Sequence, residues 1–135
     1  MGTYLNPGKN AYEEAVNSEI FIDKSEMILY LNSVVRTKQK YVSVSRPRRF
    51  GKTMAADMIC AYYDRESDSH TLFEGRKLSK CDGWDVNLGK HDVLRLNMID
   101  FLTVDPQCPG NVFRFDSAAS ADQRADFTFF LHGFY

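Results

Sequence analysis

Cysteine is scarce and poorly placed for chemistry. Cys60, Cys81 and Cys108 lie far apart with no Cys-x-x-Cys pair, which argues against a disulfide framework or a zinc site. A surplus of one charge is also missing. The formal net charge is −1 at pH 7, whereas wholesale nucleic-acid binding usually comes with a strongly basic balance. No apolar run approaches bilayer-spanning length, and the opening Met1-Gly2-Thr3-Tyr4-Leu5-Asn6-Pro7-Gly8 has no apolar signal core, so no membrane partner is expected and the chain reads as cytoplasmic. Met1-Gly2 superficially suggests myristoylation, but the sixth residue is Asn6 where Ser or Thr is required. His70 and His91 have no carboxylate or cysteine partner at metal-ligand spacing, and both are read as surface or satisfied histidines. A chain of 135 residues is most naturally one domain around one modest core.

What is present centres on Tyr41-Val42-Ser43-Val44-Ser45-Arg46-Pro47-Arg48-Arg49-Phe50-Gly51-Lys52-Thr53. The β-branched alternation predicts a short strand over Tyr41–Ser45, then a tight basic loop. Beyond Thr53, apolar Met54, Ala55, Met58, Ile59 and Tyr62 recur at helical spacing, with Asp57 and Asp64 between them. Gly51-Lys52-Thr53 is the second half of the phosphate-binding motif Gly-x-x-x-x-Gly-Lys-Ser/Thr, and it falls between strand and helix as that motif requires. The chemistry would come from backbone amides and a helix dipole converging on an anion. Gly51 would let the backbone approach a phosphate, Lys52 would reach the β and γ oxygens, and the Thr53 hydroxyl would ligate Mg²⁺. The motif's first glycine is replaced by Arg46. Pro47 stiffens the loop and removes one amide donor, leaving the amides of Arg49, Phe50, Gly51, Lys52 and Thr53. Arg46, Arg48 and Arg49 could add charge-assisted contacts to phosphate. With Arg36, Lys38 and Lys40 they form a locally basic region. A nucleic-acid contact there lacks supporting aromatic interleaving or a recognised motif.

Three segments together resemble the AAA-ATPase-like family of bacterial and archaeal ATP-binding proteins: Ile20-Phe21-Ile22-Asp23-Lys24-Ser25, then Ser45 to Thr53, then Leu72-Phe73-Glu74-Gly75. In that family a Phe-Val-Asp-Lys-Ser/Thr segment precedes an Arg-Pro-Arg-Arg-Phe-Gly-Lys-Ser/Thr loop, and Leu-Phe-x-Gly follows the loop's helix. Arginine at the first glycine position is the family's own variant. The resemblance runs from about Tyr4 to Leu102. It implies ATP with Mg²⁺ as the ligand, bound through Arg48, Arg49, Phe50, Gly51, Lys52 and Thr53, with Thr53 on the metal. The preference for adenine rests wholly on it.

Elsewhere, Asn6-Pro7-Gly8 signals a turn, and Asn10–Val16 a short helix with Tyr12 and Val16 on one side. Ile20–Ile22 suggests a brief strand. Asp23 and Glu26 match a capping box opening a helix to about Val35 that buries Met27, Ile28, Leu31 and Val34 or Val35. The alternative is that Asp23 and Lys24 help seat the nucleotide. Cys60 is expected as a small buried apolar residue in the loop's helix. Leu72-Phe73 should pack back onto the core, with Trp84 anchoring a loop over Lys80–Lys90. Asp92–Phe101 has the alternation of a second strand, Val93–Ile99 at its centre. Asp100 superficially resembles a magnesium-binding strand end, although Asn97 interrupts the run and strand capping is preferred. The family's own acidic strand would come later.

The fold class expected is α/β: a P-loop NTPase-like three-layer sandwich whose parallel sheet contains Tyr41–Ser45 and Val93–Ile99. Residues 1–102 would be the N-terminal part of a nucleotide-binding domain, and 103–135 a divergent tail in a truncated or altered chain. Open sheet edges would permit self-association. No catalytic carboxylate, water-positioning residue or arginine finger can be assigned, so the catalytic residues are unknown and binding is better supported than turnover. The competing reading is a non-catalytic interaction module whose basic loop contacts an acidic partner or nucleic acid.

Overall fold

The computed structural model describes residues 4–45, 47, 49–96 and, as backbone, 130–131. Arg46, Arg48, Asp100, Cys108 and nearly all of the tail from 97 onward lie outside the described residues. Among the described residues four helices carry the architecture: α1 (Asn10–Val16), α2 (Glu26–Val34), α3 (Lys52–Tyr63) and α4 (His70–Phe73), with a 3₁₀ turn at Leu78–Lys80. Two two-residue strands, β1 (Val93–Leu94) and β2 (Phe130–Leu131), pair antiparallel, Val93 opposite Leu131.

The core is built around α3. Its first half is amphipathic, but Met58 through Tyr63 are all buried. A helix apolar on every side must be covered on every side. α1 lies against it, and α2, α4 and the 81–90 loop enclose the remainder of one cluster that includes Tyr12, Ile28, Leu31, Tyr62, Phe73 and Leu78. Cys60 is 1% exposed, as its helical register suggests, and burial pushes its thiol up to about 12. Aromatic rings bind the layers. Tyr12 stacks on Phe73 at 5.2 Å, and Tyr62 meets Phe73 edge-on at 5.4 Å. Asn32 of α2 donates to the Tyr62 hydroxyl at 2.9 Å and accepts from the Tyr63 hydroxyl at 2.7 Å and from Asn87 at 3.1 Å. Trp84 packs on this cluster and its carbonyl accepts from the Tyr62 hydroxyl.

The parallel-sheet α/β sandwich is not what forms. Among the described residues the chain is mainly helical and holds no parallel sheet. Tyr41–Ser45 makes no strand. The alternation is real, since Val42 and Val44 are half-buried while Tyr41 is 74% exposed. A strand, however, is a ladder between two segments, and alternation alone supplies no partner for the backbone groups. Among the described residues of the second run, Val93 and Leu94 are the ones in a ladder, and that ladder is antiparallel. Ile20–Ile22 is likewise no strand: Ile20 and Ile22 are 84% and 65% exposed, and only Phe21 packs inward.

The capping box also does not form. α2 starts two residues late, with Ser25 at its N-cap and no side-chain cap bond. Asp23 instead accepts from the amides of Ser25 and Lys77, both at 2.9 Å, and the Ser25 hydroxyl accepts from the Leu78 amide at 3.1 Å. Glu26 faces Lys77 at 3.6 Å. Residues 23–26 are thus sewn to the 3₁₀ turn. Burial alone would raise the Asp23 pKa, but the amides of Lys77 and Ser25 outweigh it and hold the carboxyl below its ordinary value.

At the far end of α3 the helix leaves unpaired carbonyls. Those of Tyr62 and Tyr63 accept from the amides of Gly89 and His91, at 2.8 and 2.9 Å. His91 thereby becomes structural rather than superficial. Its ring lies edge-on to Tyr63 at 5.4 Å, and its buried Nε2 has no hydrogen-bond partner. Burial, reinforced by Arg36 and Lys90 and opposed by Asp92, lowers its pKa below the ordinary 6.5. The unfolded chain therefore takes up this proton first as pH falls, and stability present at neutral pH is lost on acidification below about 6.5. His91→Phe keeps the ring contact and removes the titration. Denaturant melts at pH 7 and pH 5 should show a smaller difference for the variant than for wild type, and an unchanged difference would clear His91 of this role.

Candidate functional site

The basic loop enters α3 through two residues in the left-handed region, Arg49 at φ 66° and Gly51 at φ 73°. For arginine this conformation costs on the order of 1 kcal/mol, so the surrounding structure must hold it. Gly51 tolerates it freely and is the N-cap of α3. No side chain caps this end, and no acidic residue sits in the first turn. The first intrahelical bond runs from Ala55 N–H to the Gly51 carbonyl at 3.0 Å, and the amides before Ala55 are the orphan donors of a helix start. They stand at the positive end of a 12-residue helix.

Of the sequence-predicted site residues, Arg49, Phe50, Gly51, Lys52 and Thr53 are consecutive around this bend. Arg49, Phe50 and Thr53 are exposed, and Gly51 and Lys52 are half-buried. Arg48 lies outside the described residues. Lys24 joins them from 26 residues upstream, its ammonium donating to the Phe50 carbonyl at 2.6 Å. Lys24, Tyr12, Phe21, Met54, Ala55 and Met58 border an apolar crevice beneath the loop that is too narrow to admit water. Asp23 is spent on the amides of Ser25 and Lys77, so neither its capping role nor a place beside the loop is found.

Two other polar centres escaped the sequence reading. Asp64, expected between the apolar positions of a half-exposed helix, is fully buried. It accepts from the amides of Gly8 and Glu66, each at 2.8 Å, and from the Ser67 hydroxyl at 3.3 Å. Asp57 is paired with Arg95, which ties α3 to the segment after β1. Only the polar residues around Asp64 hinted at a helix end. Nothing in the spacing marked Arg95 as a partner of Asp57.

A helical body that presents an uncapped, electropositive helix start beneath a basic loop is suited to holding an anion. The family model for AAA-ATPase-like proteins, described as predicted AAA-ATPase, matches residues 8–110. The chain belongs to that family, and the match continues past Leu102 into the segment where no resemblance was evident. Membership is consistent with a nucleotide-binding role. No curated protein and no solved structure matches the chain. Among the described residues, no helix is long and apolar enough to cross a membrane.

Proposed function

We propose that this chain binds a nucleoside triphosphate, ATP in keeping with its family, at the loop running from Arg48 to Thr53. The observation that carries the reading is Gly51 in the left-handed region at the uncapped start of α3. Amides of Gly51, Lys52 and Thr53 are the donors for phosphate oxygens, and Lys52 supplies the point charge for the terminal phosphates. Arg48 and Arg49 add positive charge to the loop sequence. The loop acts as a variant Walker A element, with Arg46 at the position usually taken by glycine.

The described residues include no group of three or more His, Cys, Asp or Glu able to hold a metal. They fit Mg²⁺ only as an ion carried in by the nucleotide, with the exposed Thr53 hydroxyl as its protein ligand. When bound, the ion would neutralise charge on the phosphates. Without an assigned catalytic carboxylate, the reading is of binding, and hydrolysis is left to the family.

Calorimetry with Mg-ATP tests it. Wild type should give a binding isotherm, and Lys52→Ala should weaken it by roughly 10- to 100-fold, the loss expected for a hydrogen bond to a charged group. Far-UV circular dichroism should be unchanged, because Lys52 is only half-buried at the first position of α3. Absence of heat with wild type, or equal affinity for the variant, would overturn the reading.

A further inference from the structure

The space left by the missing Gly51 side chain is already taken. A Cβ built on Gly51 would lie 2.6 Å from the Lys24 ammonium nitrogen, well inside van der Waals contact. Its next neighbour, the Met54 methyl, would be at 3.6 Å. Glycine at this position therefore admits Lys24 to the loop backbone as well as permitting the left-handed bend. Lys24 uses that access to donate to the Phe50 carbonyl at 2.6 Å.

The geometry of one peptide unit then sets a direction. No peptide bond among the described residues is cis, so the Phe50–Gly51 unit is trans and planar, with its C=O and N–H pointing opposite ways. With the carbonyl held on the Lys24 side, the Gly51 N–H is aimed away from it. A carbonyl turned the other way would present its lone pairs to a bound anion and remove that donor. The root of Lys24 is fixed for this task. On one side of it Asp23 grips the Lys77 amide, and on the other the fully buried Ser25 grips the Leu78 amide. The flexible stem thus starts from an anchored backbone.

We propose that Lys24 is a positioning residue of the phosphate loop, which pins the Phe50–Gly51 peptide so that the Gly51 amide serves as an anion donor. This rests on the triphosphate-binding reading of the same loop. Lys24 acts through the peptide plane and touches no ligand, which separates it from Lys52. Its removal should disturb recognition of the phosphate chain whatever base is attached.

The test uses the full chain with two probes, Mg-ATP and inorganic tripolyphosphate, on wild type, Lys24→Met, Lys24→Arg and Lys52→Ala. Amide spectra with the Gly51 resonance assigned accompany the titrations. Lys24→Met should lose about tenfold in affinity for both probes, the scale of one charge-assisted hydrogen bond. It should also move the Gly51 amide resonance before any ligand is added and blunt its shift on adding tripolyphosphate. Lys24→Arg, which retains a cationic donor, should restore both behaviours. Thermal melting of Lys24→Met should stay close to wild type, since the bond it loses is exposed. If Lys24→Met binds both probes as wild type does while Lys52→Ala fails, the positioning role is wrong and the binding reading stands. An affinity loss that merely tracks a lowered melting temperature would also overturn it. If wild type binds neither probe, the binding reading fails, and with it the purpose assigned to Lys24. The Gly51 resonance in Lys24→Met then still reports whether the clamp exists.

Discussion

Phe73→Ala should destabilise the protein by about 3–5 kcal/mol, the usual cost of deleting a buried aromatic ring. Phe73 is fully buried although its helix, α4, is only four residues long and has no side-chain cap. A helix this short cannot sustain itself in water. It is held by the ring that it inserts between α1 and α3, stacked on Tyr12 at an interplanar angle of 17° and perpendicular to Tyr62 at 88°. Truncation leaves a cavity bordered by two large rings, of which Tyr62 is fixed by its hydroxyl bonds to Asn32 and Trp84. Collapse around the void is therefore limited, which places the cost toward the upper end. Urea unfolding is the measurement, with the midpoint falling and the slope unchanged. Phe73→Leu should recover part of the loss. A change below about 1 kcal/mol for Phe73→Ala would mean that the three rings do not form the packed centre described here.

The three longer helices could be read from the sequence because their periodicity is a property of their own segments, whereas at α4 only the inward packing of Leu72-Phe73 is expected. α1 occupies Asn10–Val16 as the spacing predicts, and α3 begins at Lys52, two residues before Met54, from which the helical spacing is read. Burial of Ile28, Leu31 and Val34 likewise follows from helical register. The strands could not be read in the same way. Tyr41–Ser45 and Val93–Ile99 have the right residues, yet a ladder depends on a second segment that local pattern does not identify. The capping box at Asp23 and Glu26 fails for a related reason. Its competitor, the Lys77 amide, is 54 residues away, a donor that only the fold brings to Asp23 and that local pattern does not announce.

The same division runs through the loop. A glycine before Lys-Thr at a helix start announces the left-handed bend, and Gly51 adopts it. Arg49 also adopts it, which composition does not foretell, because arginine has no intrinsic preference for that region. Lys24 is visible in sequence as part of a segment preceding the loop, where with Asp23 it offers an alternative role in seating the nucleotide. Its contact with the Phe50 carbonyl depends on the packing of residues 23–25 against the 3₁₀ turn. Charge patterning placed the arginines at the loop but could say nothing of which cation reaches the backbone.

Asp64→Ala should cost about 3 kcal/mol, because it strips two part-buried backbone amides of a charged acceptor at once. The carboxylate is at the C-cap of α3, where one oxygen accepts from the Glu66 amide and the other from the Gly8 amide. Gly8 belongs to the Asn6-Pro7-Gly8 turn, in which Asn6 and Gly8 both have positive φ, at 48° and 84°. Asn6 in turn exchanges bonds with β1: its amide donates to the Val93 carbonyl and its side-chain oxygen accepts from the Val93 amide, both at 2.8 Å. Asp64 therefore holds a turn whose own Asn6 holds the strand. Its loss should loosen residues 4–9 and Val93 together, not α3 alone. Hydrogen exchange makes the distinction, with protection falling at Asn6, Gly8 and Val93 while the amides of Met58 to Tyr62 stay slow. Ser67→Ala, which removes only the weaker 3.3 Å bond to the same carboxylate, should change stability by less than about 1 kcal/mol. If Asp64→Ala and Ser67→Ala prove equally mild, the buried carboxylate is not what joins the N-terminal turn to α3.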